Sequence, residues 1–270
     1  MRAVKKALKR LIRYLATRES FVRLVGNVIY PGVIQYLRDE IRPDVASASG
    51  TVEALAWKVH SYIVLNEELR PQGEDCAPDG LPCNRETRAR ILDVVLRHAV
   101  ATKGDVFEFG VHEGESLVVF AERLPDRHVH GFDSFEGLPE EWWTRPKGTF
   151  KTEPPRINRP NVTLVKGYFD ESVPRFLAAW PGDVSLIHVD CVLYQSTRDC
   201  LVPMLSRCQV GTVLLFDEYY NYPEFARHEW LAWREIRTRH NILAPCVAYD
   251  GRRAAFKILD LGDLSGSGNK

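Results

Sequence analysis

The chain has 270 residues, 45% of them hydrophobic, and no apolar run near the length that crosses a bilayer, so a membrane span is excluded and one full core plus an extension can form. Its 36 Lys and Arg balance 36 Asp and Glu, and this formal neutrality argues against general nucleic-acid binding. The six cysteines, Cys76, Cys83, Cys191, Cys200, Cys208 and Cys246, form no C-x-x-C pair and no zinc-type grouping, so reduced thiols in a cytoplasmic protein are expected.

Neutrality hides an asymmetry at the start of the chain. Eight Lys or Arg and one acid, Glu19, fall between Met1 and Leu24, where Val4, Leu8, Leu11, Ile12 and Leu15 recur at helical spacing. The segment predicts a basic amphipathic helix that docks on the body of the protein or on a second subunit, in keeping with a homodimer. A targeting peptide and an anionic membrane surface are the alternatives. Past the loops YPG and RPDVASASG, Val52, Leu55, Val59, Tyr62 and Ile63 predict a helix over 51–69. A Pro/Gly/Cys loop follows, flanked by Cys76 and Cys83, the one pair placed where a bridge could form. Asn84 can then cap a helix running to about residue 102. Residues 1–83 therefore read as a helical extension or lid, 84–261 as the core domain and 262–270 as a flexible tail.

In the core domain, strands at 105–109, 128–133, 161–166, 184–190 and 211–217 are interleaved with helices at 115–124, 171–180, 196–207 and 224–239. This alternation predicts an α/β fold with a mostly parallel sheet covered on both faces. Segments 241–248 and 254–259 flank Tyr249-Asp250-Gly251 and predict a closing hairpin. The result is a Rossmann-like, doubly wound, seven-stranded sheet with one antiparallel strand.

The turn Gly110-Val111-His112-Glu113-Gly114 joins the first of these strands to a helix near Ser116, where α/β sheets hold ligands. A dinucleotide fold would seat a pyrophosphate there on G-x-G-x-x-G, but Glu108, Glu113 and Glu115 would repel it. A cofactor with a sulfonium and an ammonium suits the acidic turn, which points to S-adenosylmethionine. Asp133 ends the second strand, one crossover on, where a carboxylate takes ribose hydroxyls. With Val111, Ser134, Gly167, Tyr168 and Asp190, these residues make up the candidate cofactor set.

Asp190 closes the strand at 184–190, and Asp217 and Glu218 close the strand at 211–217, so the three acids converge on the same edge. Carboxylates held together near neutral pH need a raised pKa or a bound cation, and an all-oxygen set suits Mg²⁺, Mn²⁺ or Ca²⁺. In the plainer alternative Asp190 and Asp217 cap the helices that follow. A cation would lower the pKa of an acceptor hydroxyl and fix it behind a methyl group. Asp190 is the first candidate for general base and His228 the second. His188 reads as structural, turned away from Asp190 by strand alternation. Trp142, Trp143, Tyr168, Phe169, Tyr219, Tyr220 and Tyr222 all follow strand ends and read as a pocket wall for adenine and a ringed or sugar-like acceptor.

The segments EFGVHEGES, HGFDSFEGLPEEW, LVKGYFDESVP, SLIHVDCVLYQST and GTVLLFDEYYNYP, spanning about residues 105–223, resemble the macrocin O-methyltransferase family of metal-dependent sugar and antibiotic O-methyltransferases. The resemblance implies S-adenosylmethionine at Glu108, Gly110, Ser116 and Asp133, and Mg²⁺ at Asp190, Asp217 and Glu218. Two positions depart from the family pattern: Val192 stands where an aspartate is common, and Glu218 where Asp is. Leu193 stands where the related catechol enzyme has a lysine, so another base is required. The expected function is methyl transfer to a hydroxyl of a sugar, glycoside or similar small molecule. The alternatives are a metal-independent O- or N-methyltransferase using His228, and a non-catalytic module recruited through the basic helix.

Overall fold

The computed structural model describes residues 57–264 apart from 59, 62, 71 and 77–83. The basic N-terminal helix, the start of the 51–69 helix, Cys83 and the end of the tail lie outside the described residues. The chain divides into two compact units, residues 1–67 and 68–270. In the first, the described residues from Trp57 to Ile63 are helical, with the Ser61 hydroxyl donating to the Trp57 carbonyl at 2.9 Å. No described helix is long and apolar enough to cross a membrane.

The second unit carries the sheet. Its elements run β1 (Glu74–Asp75), α1 (Arg85–Val100), β2 (Asp105–Phe109), α2 (Glu115–Arg123), β3 (Val129–Asp133), β4 (Val162–Lys166), α3 (Phe169–Ala179), β5 (Val184–Val189), α4 (Tyr194–Met204), β6 (Val213–Phe216), α5 (Glu229–Arg239), β7 (Cys246–Tyr249) and β8 (Ala254–Lys257). The strand order is β1-β7-β8-β6-β5-β2-β3-β4, and only β8 runs against the rest. All seven expected strands form. The eighth, β1, has two exposed residues, too few to show an alternation.

Local chemistry sets the ends of α1 as the sequence predicts: the Asn84 side chain accepts from the Thr87 amide at 3.0 Å and Thr87 answers with its hydroxyl, a capping box. The helix expected over 224–239 is broken instead. A 3-10 turn at Phe225–Arg227 ends at His228, whose φ of −118° and ψ of −130° are not helical, and α5 starts only at Glu229. Cys76 is a free, buried thiol rather than half of a bridge.

The core follows the two-residue period of the strands. Val106 of β2, with Leu186, Val213 and Val129 beside it, packs under Ile91 and Val95 of α1 and Leu117 and Phe120 of α2. On the other face Phe107 meets Phe176 of α3 and Trp180 just past its end edge-on, with ring centroids 5.9 and 4.9 Å apart. Each fully buried Val, Leu, Ile or Phe side chain contributes about 1.5–3 kcal/mol, which favours β2 and β5, apolar on both faces, inside the sheet rather than at its edges. There the order reverses, β3 and β4 lying to one side of β2 and β6 to the far side of β5. The carboxyl ends of β2 and β5 thus meet at a topological switch point. Gly110 is required at that junction: its φ is +96°, and a Cβ would stand 1.9 Å from the Asp190 carbonyl oxygen.

Candidate active site

A cleft of about 440 Å³ opens at the switch point, within the size range of small-molecule sites. The turns after β2, β3, β4, β5 and β6 all contribute to it, and the long β3–β4 connection supplies Leu138, Trp142 and Phe150 as a wall.

Asp133 organises one end of the cleft. Its Oδ2 accepts the amides of Val111 and His112 at 2.8 and 2.9 Å, and its Oδ1 accepts that of Phe135 at 2.8 Å. One carboxylate thereby fixes two turns, and its remaining lone pairs can still take hydroxyls. His112, held at φ +50°, joins the lining, a residue that no motif or spacing in the sequence singles out. Of the candidate cofactor residues, Gly110, Val111, Asp133, Ser134, Gly167, Tyr168 and Asp190 line the cleft. Glu108, Gly114 and Ser116 do not: all three are buried, and Gly114, at φ +80°, packs against Ile157.

The glutamates of the turn are therefore not what charges the cleft. Glu108 is completely buried and bonds His188 Nδ1 at 2.8 Å, while Glu113 and Glu115 face solvent away from the lining. The acids that do line the cleft are Asp133, Glu140, Asp170, Asp190, Asp199 and Glu218, with no Lys or Arg among the described lining residues. The acidic field survives, carried by other residues.

Two of the three strand-end acids, Asp190 and Asp217, come together with His188, and Glu218 stands outside that group. His188, Asp190 and Asp217 each present a donor atom within 4.8 Å of the others. The expectation that His188 turns away from Asp190 is corrected by the period itself, since residues two apart in a strand share a face. His188 Nε2 lies 3.6 Å from Asp217 Oδ1, too far for a hydrogen bond, so that attraction is electrostatic. Arg253 Nε donates to Asp217 Oδ1 at 2.6 Å, and an Arg252 guanidinium nitrogen donates to Glu218 Oε1 at 2.9 Å. The hairpin loop holds both arginines in place, with Asp250 Oδ1 accepting their two amides at 2.9 and 2.8 Å.

These pairings split the acids. Burial acts against ionisation of Asp217, yet His188 and Arg253 hold its carboxyl well below the usual range. Burial likewise opposes a charged His188, but the Asp217 and Glu108 carboxylates raise it to about 10. Asp190 accepts no hydrogen bond from a described cationic side chain: burial, then the charge of Asp217, pushes it up to about 7 although His188 and Arg88 act the other way. Burial raises Glu218 to about 8 in spite of Arg252, and its buried Oε2 has no hydrogen-bond partner among the described residues. A proton acceptor poised near neutrality beside a permanently charged carboxylate is a common catalytic arrangement.

His228 stands apart. It is not in the lining, and burial followed by Arg227 pushes it down to about 4. Among the aromatics, Trp142, Tyr168 and Phe169 line the cleft, with Tyr168 47% exposed, whereas Trp143 does not. Tyr219, Tyr220 and Tyr222 are core residues. Tyr219 donates to Glu68 at 2.6 Å, Tyr220 donates to the Asp250 carbonyl, and Tyr222 packs on Trp142 at 5.7 Å.

Residues 107–219 match a family described as a methyltransferase domain. The switch-point cleft and this match define an S-adenosylmethionine-dependent methyltransferase. Demethyldecarbamoylnovobiocin O-methyltransferase of Streptomyces niveus is 26% identical over 195 residues, 61% of this chain and 72% of its own length. Two solved structures share the fold at 19% identity. The calicheamicin methyltransferase CalS11 has a TM-score of 0.55 over 86% of this chain and 92% of its own, and the O-methyltransferase NovP one of 0.52 over 62% and 78%. The domain match and the novobiocin relative together support an S-adenosylmethionine-dependent O-methyltransferase.

Proposed function

We propose that the protein methylates a hydroxyl of a sugar, glycoside or related natural product at a divalent cation held by Asp190, Asp217 and Glu218. The observation that carries the cation is the approach of Asp190 and Asp217, whose oxygens come within 4.8 Å of each other, with the buried, unpartnered Glu218 Oε2 on the residue after Asp217, hard oxygen donors of the kind Mg²⁺ and Mn²⁺ prefer. The acceptor class follows the novobiocin relative, whose name records O-methylation of an antibiotic. The cleft's field adds to it: six acids without a cation favour a neutral or positively charged acceptor over a phosphorylated one.

In this reading the turn residues Gly110, Val111 and His112, with Asp133, Ser134, Gly167 and Tyr168, hold the cofactor. When bound, S-adenosylmethionine supplies an electrophilic methyl group on a sulfonium, and a divalent cation supplies positive charge beside the acceptor oxygen. Asp190, pushed up to about 7, takes the proton from the acceptor hydroxyl. Trp142, Phe150 and Tyr168 offer ring faces that orient the acceptor and exclude water. A second, metal-free reading has one observation in its favour: Arg252 and Arg253 already neutralise one oxygen each of Glu218 and Asp217, leaving Asp190 as base without a cation. His228 serves neither reading, being outside the lining.

Two measurements separate the readings. The first is methyl transfer from labelled S-adenosylmethionine to a panel of glycosides and aminoglycosides, with and without excess EDTA. Loss of product in EDTA is expected, and full turnover there would remove the cation. The second is thermal unfolding against pH. Asp190, Glu218 and His188 all bind protons more tightly folded than unfolded, so their contribution fades as pH rises from 6.5 to 8.5. Asp217 is shifted the other way, and its contribution is complete throughout that window. The Tm of the metal-free protein is thus expected to fall across it. Added Mn²⁺ should raise the Tm more at pH 8.5 than at 6.5, because the cation binds ionised carboxylates.

A further inference from the structure

Glu229 opens α5 and is completely buried, a costly place for a carboxyl group unless it is fully engaged. It does not cap its own helix, whose N-cap, His228, has no side-chain cap bond. Its two oxygens reach instead to two separate loops: Oε1 accepts the Val192 amide at 2.9 Å and Oε2 accepts the Glu218 amide at 3.1 Å. One loop follows β5 and begins at Asp190, and the other follows β6 and begins at Asp217. The main-chain ladder between these strands ends with the Asp217 amide on the Val189 carbonyl at 2.9 Å, so Glu229 spans the loops beyond the point where the sheet stops pairing them. Val192 adds a second sign of constraint. It sits at φ +54°, a left-handed conformation that a β-branched residue adopts only when its surroundings enforce it.

We propose that Glu229 is a positioning residue, a buried carboxyl clamp that sets the separation of Asp190 from the Asp217–Glu218 pair and thereby the geometry of the cation and the acceptor oxygen. For its metal readout the inference rests on the cation reading above. Burial pushes the Glu229 carboxyl well up, and in either protonation state its two oxygens can accept the two amides. Gln in its place accepts one and opposes the other with its own amide group, and Leu accepts neither.

The test compares full-length wild type, Glu229→Gln and Glu229→Leu by Mn²⁺ affinity from electron paramagnetic resonance, S-adenosylhomocysteine affinity from calorimetry, and kcat and KM on the best acceptor of the glycoside panel. Glu229→Gln is expected to bind Mn²⁺ about 10–100-fold more weakly, the usual effect of losing a residue that orients metal ligands. Its kcat should fall at least about tenfold, with S-adenosylhomocysteine affinity within about twofold, because the cofactor turns rest on Asp133 and not on Glu229. Glu229→Leu should be worse on the first two measures. A Glu229→Gln protein with a lowered Tm but wild-type Mn²⁺ affinity and kcat would reduce Glu229 to a structural residue and overturn the proposal. If Glu229→Leu does not fold, the Gln variant alone decides. If wild type binds no Mn²⁺ and turns over fully in EDTA, the cation reading falls by itself. The clamp is then judged by kcat in EDTA, where an unchanged Glu229→Gln value would end it.

Discussion

Asp190→Asn is expected to lower methyl transfer by roughly 10²–10⁴-fold, the range for losing a general base, while S-adenosylhomocysteine affinity stays within about threefold. The substitution keeps the shape of the side chain and removes the carboxyl that burial and Asp217 push up to about 7. Cofactor affinity should persist because Asp133, through three backbone amides, and Gly110 shape the turn independently of the Asp190 side chain. The same change should leave the metal-free protein as stable or more stable at pH 8, since it deletes a carboxylate that burial and Asp217 both oppose. A gain in Tm with a loss of rate is the signature of a residue kept for chemistry. Retention of more than a tenth of the wild-type rate would move the base elsewhere.

Gly110→Ala is the second large effect. At φ +96° the new side chain is strained, and its Cβ meets the Asp190 carbonyl oxygen at 1.9 Å, a backbone atom that cannot rotate away. Strain and overpacking together are expected to cost roughly 3–5 kcal/mol, or about 10 °C in Tm for a domain of this size. Relief requires β2 and β5 to separate at the floor of the cleft, so cofactor affinity should fall along with stability. Scanning calorimetry and titration with S-adenosylhomocysteine read both. A variant that melts like wild type and binds normally would show that the two strand ends are not in this contact.

What could be read from the sequence was what is local. The apolar runs ending at Gly110, Asp133 and Asp190 carry their own period and stop signals, and the helix at Arg85 announces itself through Asn84 and Thr87. The strand ends were therefore placed correctly, and the cleft with them. Errors arose where pairing depends on distant segments. Arg252 and Arg253 reach Asp217 and Glu218 because β8 runs antiparallel to β6, with Phe216 opposite Ala254, a register that a Tyr-Asp-Gly turn alone does not specify. The three tyrosines after β6 looked like loop residues, but Glu68, Asp250 and Trp142 draw them inside. Glu108 was counted among the charges of the turn because its partner, His188, lies in a strand eighty residues away. Glu229 was invisible for a related reason: nothing in its own helix shows that its oxygens serve two other loops.

In the proposed site a divalent cation sits between the strand-end acids, next to the methyl donor. A crystal of the full-length protein grown with S-adenosylhomocysteine and Mn²⁺, measured for anomalous scattering, tests it most directly. A manganese peak bounded by Asp190, Asp217 and Glu218, on the side of the cleft facing the cofactor sulfur, is the predicted result. Bound S-adenosylhomocysteine with no anomalous peak, and with Arg253 and Arg252 still covering Asp217 and Glu218, would contradict it.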